Sequence, residues 1–493
     1  MSVTADATRA GPRLPTRWLI LGVTCLAQLT VVLDNTVLNV AVPSLTRELG
    51  ATTADVQWMI NAYSLVQSGL LLAGGSAADR YGRKKMLLTG LALFGIGSLA
   101  AGLAGSTGQL IAARAGMGVG GALLLTTTLA VVMQVFDAEE RLRAIGIWAA
   151  VNALGFAAGP LIGGLVLGHF RWGAIFLINI PVVLLGLVAA WKLVPESKNP
   201  EGHRPDLLGA LLSTVGMSAL VLAVVSGPEH GWGTARVVFP ALGGVLVLGA
   251  FALWESRVPH PMLDMGFFRD RRFVGAVVGV VLITFGSAGA LFLLSQQLQF
   301  VRGYSPLEAG LRTAPFALTV VALNFTGIST RLLRRLRLPL AVAVGVGLLA
   351  AGFAVVAAFA SDGYGVLLLG LVLMGTGCAL ANPAIAEAVM GAIPPEKAGA
   401  GAGVDGTMSE LGGSLGVAVL GAVMNSRFTG LLPAAATGAA SLPAALAQAP
   451  TEGDRAAVLD AFASGVETSQ LAGAAAVLLG GCASAWLLRR AER

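Results

Sequence analysis

Charge is what this chain has least of. Only 12% of its 493 residues are Asp, Glu, Lys or Arg, while 56% are hydrophobic. A soluble domain carries about 25% charged residues, so a water-exposed globule of this composition lacks the groups to cover its surface. Cysteine is scarcer still. Cys25, Cys378 and Cys482 all fall inside apolar runs, with no CxxC or Cys/His cluster. That argues against a disulfide framework or a cysteine metal site, and no metal is expected. The four histidines lie near or between the ends of apolar runs, as solvated loop residues do. GxxxxGK[ST] is absent, so the chain has no sign of its own ATP-binding loop. A membrane-embedded enzyme needs His, Asp, Glu, Ser or Cys clustered near one face, and a sensor usually carries a soluble output domain. Neither is visible, so no enzyme activity, cofactor or nucleic-acid partner is expected.

Apolar sequence is abundant instead, in blocks of roughly 20 residues, the length that crosses a hydrocarbon core. In lipid every backbone polar group must be satisfied internally, so the blocks are expected to be α-helices. The short alternating segments of a membrane β-barrel do not appear. Six blocks run 18–42, 56–75, 86–105, 109–134, 142–167 and 173–193. A pair follows at 207–226 and 236–254, then six more at 273–297, 308–330, 338–359, 364–390, 403–425 and 469–488. The expected class is an all-α integral membrane protein of fourteen transmembrane helices. Its domains are a tail at 1–17, a six-helix bundle at 18–200, two inserted helices at 201–260 and a second six-helix bundle at 261–493. The second bundle contains an extracellular, alanine-rich loop at about 426–468, with short patches that could be helical, such as Asp454 to Ser464, and it is expected to be a cap or spacer. The first apolar block follows a polar, basic segment and has no small-residue cleavage site, so it is expected to stay as an anchor.

Basic residues set the orientation. Clusters at Arg80, Arg83, Lys84 and Lys85, at Arg257, Arg269, Arg271 and Arg272, and at Arg331, Arg334, Arg335 and Arg337 all fall on one side of the fourteen-span topology. The positive-inside rule makes that side cytoplasmic, with both termini on it. The loops GGSAADRYGRKK and GISTRLLRRLR correspond at an offset of eight helices, and so do two glycine-rich helices. This spacing fits two six-helix halves separated by an inserted pair, since repeats are common in secondary transporters.

The sharpest motif is GSAADRYGRKK, residues 75–85. Gly75, four residues before Asp79, permits close helix approach, and Asp79, Arg80, Gly82 and Arg83 are read as a conformational latch. A neighbouring helix end, or the loop with Asp137, Glu139, Glu140 and Arg141, would receive it. Positive-inside anchoring explains the basic run alone. Asp34, within the first block, is a functional candidate because an intramembrane charge is costly unless it faces a cavity or a partner. Gln28, Asn35 and Asn39 make part of that helix polar, as a cavity wall is; a structural ion pair is the alternative. Arg114 lies at a depth similar to Asp34 and is expected to favour its deprotonation in one state, unless it snorkels at the interface. A carboxylate that carries protons needs surroundings that stabilise its neutral form. Trp58 and Tyr63 are assigned to an apolar cavity, although packing accounts for single aromatics equally well. Glu387, after Asn382 and Pro383, is placed at the inner vestibule, whereas Asp405 is expected nearer solvent.

The latch motif resembles that of the major facilitator superfamily. LDNTVLNVAVPSL (33–45), QWMINAYSL (57–65), RAGMGVGGALL (114–124) and GFAAGPLIGG (155–164) extend the resemblance to the QacA/EmrB-like, fourteen-helix drug:proton antiporters. It implies the major facilitator fold, with Gly155, Gly159, Pro160, Gly163 and Gly164 as the antiporter motif; ordinary glycine packing is the plainer reading. DGTMSELGGSLGVAVLG is similar to the family's thirteenth helix, where an acidic residue is frequent. Glu410 therefore joins Asp34 and Arg114 as a proton-coupling residue. The function expected is export of lipophilic, including cationic, drugs or antibiotics in exchange for protons, by alternating access. The protein would work as a monomer in the bacterial cell membrane, with no cofactor beyond the proton gradient. An exporter of one self-made antibiotic or metabolite remains open, and a proton symporter ranks below both.

Overall fold

Long apolar blocks close into helices here because a helix satisfies each backbone N–H and C=O within its own segment. The computed structural model describes residues 14–49, 53–198, 206–259, 261, 263–304, 306–358, 363–394, 398–439 and 442–491. Among these residues there is no strand. The first half contains α1 (Leu14–Leu49), α2 (Thr53–Tyr81), α3 (Arg83–Gly102), α4 (Thr107–Val135), α5 (Ala138–Leu167), the short α6 (Ala174–Leu177) and α7 (Asn179–Leu193). Next come α8 (Leu207–His230) and α9 (Ala235–Glu255). The second half contains α10 (Arg271–Gln296), α11 (Pro306–Phe325), α12 (Ile328–Arg335), α13 (Leu338–Ala358), α14 (Tyr364–Gly391), α15 (Ala398–Gly430), α16 (Leu442–Gln448) and α17 (Glu452–Ala491).

Among the described residues, ten helices are long and apolar enough to cross a bilayer, or eleven if the bent α11–α12 pair forms one span. The remaining expected blocks correspond to α2, α5 and α8, which are 29, 30 and 24 residues long. In α8 the apolar stretch shortens to Leu208–Val224. In α2, small and polar residues such as Gln67, Ser68, Gly74 and Gly75 replace aliphatic ones, because this helix packs against protein rather than lipid.

Each half has its own hydrophobic core. Leu91, Phe94, Met117 and Leu124 centre the first, and Phe273, Ile283, Leu349 and Phe353 centre the second. The inserted pair leans on the first half, where Ser218 Oγ of α8 donates to the Leu65 carbonyl of α2 at 3.1 Å. The outer face of α9 exposes Phe239, Leu242, Val245 and Leu246, as a lipid-facing surface does.

Two elements differ from the sequence reading. The expected continuous helix at 308–330 is broken: α11 and α12 meet at 67°. Gly327 adopts φ +71 at the break, a left-handed conformation for which glycine has no Cβ penalty. Asn324 anchors the corner, donating to the Val320 carbonyl at 2.9 Å and accepting from Ser329 Oγ at 2.8 Å. The 426–468 segment is helical at Asp454 to Ser464 as expected, and beyond it as well, since α15 runs to Gly430 and α17 starts at Glu452. Alanine favours this extension, and Thr451 caps α17 by accepting from the Asp454 backbone N–H at 3.0 Å.

Candidate functional site

Five helices converge on Asp34. Arg114 of α4 forms an ion pair with it, and both side chains are 1% exposed. The Arg114 Nε also donates to the Met59 carbonyl at 3.1 Å, and its guanidinium lies 4.4 Å from the centre of the Tyr63 ring. The other carboxylate oxygen of Asp34 accepts from Asn179 Nδ2 of α7 at 3.4 Å. Asn179 donates in turn to Ser98 Oγ of α3 at 2.9 Å, and Ser98 donates to the Phe176 carbonyl at 2.9 Å. Removing either charge leaves the other buried without its counter-ion, which costs several kcal/mol. A proton on Asp34 would cancel the charge of the pair without removing an atom.

The antiporter-motif glycines determine how α1 reaches that position. A Cβ at Gly155 would meet Val32, and one at Gly159 would meet Thr36, both on α1. Thr36 Oγ1 also approaches the Gly155 carbonyl at 3.4 Å. These two glycines therefore pack α5 onto α1 within the first half. Gly163 is buried, whereas Gly164 is exposed with open space around it. Asn39 and Pro160 lie in α1 and α5, but their side chains fall outside the described residues.

The remaining candidates are spread over several places. Gln28 donates to Asn152 Oδ1 at 2.7 Å and accepts from Thr128 Oγ1 at 3.4 Å, and Thr128 also accepts from Trp148 Nε1 at 3.2 Å. This separate network joins α1, α4 and α5. Asn35 is half-buried, Trp58 is exposed, and Tyr63 is fully buried beneath Arg114. Glu410 is half-buried on α15, while Asp405 is buried, unlike the solvated position expected of it. Glu387 pairs with Arg141 of α5 at 3.6 Å.

The latch motif closes the arginine-rich end of the bundle. Asp79 accepts from the backbone N–H groups of Gly399 and Ala400, at 2.8 and 3.0 Å, in the first turn of α15. A helix N-terminus is a natural seat for an anion. Arg83 braces the carboxylate through Nε and Nη2 at 3.2 and 2.9 Å, and its Nη1 donates to Gln134 at 3.0 Å. Gly82, at φ +109, turns α2 into α3, whose first N–H groups at Lys84 and Lys85 are capped by Glu196. The Arg80 guanidinium lies over the Tyr81 ring. At Gly75 a Cβ would strike the Gly399 backbone.

Of the two latch partners expected, the helix end is the one in contact. The loop at 137–141 makes different contacts: Asp137 pairs with Arg17, the Glu139 carbonyl accepts from Arg334, and Arg141 pairs with Glu387. Arg143 also reaches the Phe325 carbonyl at 3.4 Å. The links of Glu139, Arg141 and Arg143, like the Asp79 contacts, join the two halves at the arginine-rich end, whereas the Asp137–Arg17 pair lies within the first half.

Asn179, Ser98 and Gly399 were not singled out from the sequence. Asn179 is a lone amide in the apolar run FLINIPVV, a signal of the kind that singled out Asp34. The Gly399 contribution is a backbone N–H, which no residue type announces.

Comparison with known proteins identifies the family and the fold. The family model described as Major Facilitator Superfamily matches residues 24–417. The multidrug efflux pump LfrA of Mycolicibacterium smegmatis is 34% identical, covering 97% of this chain and 98% of its own length. The puromycin resistance protein pur8 of Streptomyces alboniger is 38% identical over 92% of this chain and 89% of its own. The human organic anion transporter MFSD10 shares the fold, with a TM-score of 0.62 and 15% identity, over 96% of this chain and 99% of that one.

Proposed function

Because the chain belongs to the major facilitator superfamily, we propose that it is a fourteen-span, proton-coupled antiporter that exports lipophilic, including cationic, drugs or antibiotics by alternating access. The efflux and resistance roles named for its relatives support export. The observation that carries the coupling is the buried Asp34–Arg114 pair. Ionised, Asp34 is held by Arg114 and Asn179; protonated, it releases Arg114 from its counter-ion, and α1 and α4 can repack. Glu410, in the opposite half, is the second acidic site, at which a cationic cargo and a proton compete.

The basic clusters support a cytoplasmic position for the arginine-rich end and both termini. The conformation described is then the one closed to the cytoplasm by the Asp79 latch. The protein acts as a monomer in the bacterial cell membrane, driven by the proton gradient and without a cofactor. A second reading, export of a single self-made antibiotic, is favoured by the relative pur8, a puromycin resistance protein.

Uptake of ethidium into inverted membrane vesicles with an imposed pH gradient tests the coupling. Wild type is expected to accumulate the dye and Asp34→Asn to lose accumulation. Equal accumulation by both would remove Asp34 from the mechanism.

A further inference from the structure

The seam between α2 and α15 contains more than the latch. Tyr63, Gln67, Leu71, Gly75 and Asp79 recur every fourth residue and so form one stripe of α2. Along the antiparallel α15, Asp79 meets Gly399 and Ala400, Gly75 meets Gly399, and Leu71 meets Gly403 and Gly406. The next positions in this register are Gln67 and Tyr63 on one helix, and Thr407 and Glu410 on the other. α15 is buried from Ala398 through Thr407 and half-exposed from Met408 to Leu411. Glu410 therefore sits where the tight seam opens.

Three polar atoms in this stretch are buried without a hydrogen-bond partner: the Tyr63 hydroxyl, Gln67 Oε1 and Thr407 Oγ1. Their residues are at most 1% exposed. Buried groups of this kind are rare and mark a strained site or a place for ordered water. Tyr63 and Gln67 fit against α4 because residue 121 is glycine: a Cβ there would come within 2.6 Å of the Tyr63 hydroxyl and 3.0 Å of Gln67 Nε2. Tyr63 also carries Arg114, the partner of Asp34, against its ring. It thus adjoins the acidic site of the first half, while the register of the seam carries its helix face toward Glu410 of the second.

We propose that Tyr63, with Gln67 and Thr407, forms a proton bridge through ordered water between Glu410 and Asp34. The inference rests on the antiport reading above. In the transfer, the carboxyl proton of Glu410 leaves to water, and the Tyr63 oxygen accepts a proton as its own O–H proton departs. The Asp34 carboxylate gains that proton; Glu410 ends ionised, Asp34 ends neutral, and Tyr63 and the water are unchanged. A hydroxyl suits the position because it donates and accepts at once. Gln67 and Thr407 hold the water through the atoms that lack protein partners. Parting of the seam, which breaking the Asp79 latch permits, separates Gln67 from Thr407 and interrupts the bridge. One proton thus cannot serve both halves while the basic end is open. Tyr63 passes the proton on and Thr407 positions the water; neither contacts cargo.

The test compares two modes of ethidium movement in inverted vesicles: uptake driven by a pH gradient and ethidium–ethidium exchange without one. Tyr63→Phe keeps the ring against Arg114, and Thr407→Val keeps the side-chain shape; each removes only a hydroxyl. Both are expected to lower the ratio of driven uptake to exchange by at least about tenfold, as loss of a proton-transfer group does. An unchanged ratio in both variants overturns the bridge while leaving antiport standing. Driven uptake and exchange that fall together assign the two hydroxyls to packing and also overturn it. Wild type without gradient-driven uptake overturns the antiport reading itself, and the bridge with it.

Discussion

Replacing Asp79 with alanine removes the carboxylate that joins the first half to the N-terminus of α15. Its two bonds to Gly399 and Ala400, at 2.8 and 3.0 Å, cross between the halves and are expected to break when the arginine-rich end opens. The contacts to Arg83 lie within one half and remain available in either state. The differential loss is therefore the two cross-half bonds. Each is charge-assisted and worth about 1.5–3 kcal/mol. Hydration of the same groups in the open state offsets part of that, leaving about 3 kcal/mol. At about 1.4 kcal/mol per tenfold, the closed-to-open ratio should fall by roughly 150-fold. Spin labels at Lys85 and Arg335, exposed on opposite halves at this end, report the change as a distance. The wild type is expected to show one short distance, and Asp79→Ala a population dominated by a longer one. An unchanged distance distribution would refute the reading of Asp79 as the latch.

Three further outcomes are expected. Gly75→Val places side-chain atoms against the Gly399 backbone and should open the same end with the same labels, costing about 1–3 kcal/mol of the closed state; a closed distance would contradict the close approach. Arg114→Ala leaves Asp34 buried without its cation and should lower stability in detergent by about 3–5 kcal/mol. Adding Asp34→Asn should restore most of that loss, and a double variant as unstable as the single one would show that the pair is not the cause. Glu387→Gln breaks a partly exposed 3.6 Å pair and should shift the spin-label distances far less than Asp79→Ala, by under about 1 kcal/mol.

The sequence carried the parts of the site that depend on residue type. A lone Asp in an apolar helix and an Arg at matching depth announce an expensive pair, and the structure brings Asp34 and Arg114 into contact. The position of each apolar block was legible because lipid requires helices of a set length. The bend after Phe325 was not, because one left-handed glycine decides it, and Gly327 looks like many of the 66 glycines in the chain. The latch illustrates the same limit. Asp79 and a helix end as its partner were legible, but which helix was not, because the partner is the backbone of an α15 turn 320 residues away. The Ala-rich segment before α17 read as a loop because its prolines and polar residues break the apolar pattern, although alanine and the Thr451 cap favour helix.

Proton movement in liposomes containing only this protein tests antiport most directly. An internal pH dye follows protons while an ethidium gradient is imposed in the absence of any pH gradient. Ethidium entry should drive protons out and raise the internal pH, and Asp34→Asn should abolish that rise. Ethidium entry with no proton movement, or with protons moving inward alongside it, would contradict proton-coupled antiport.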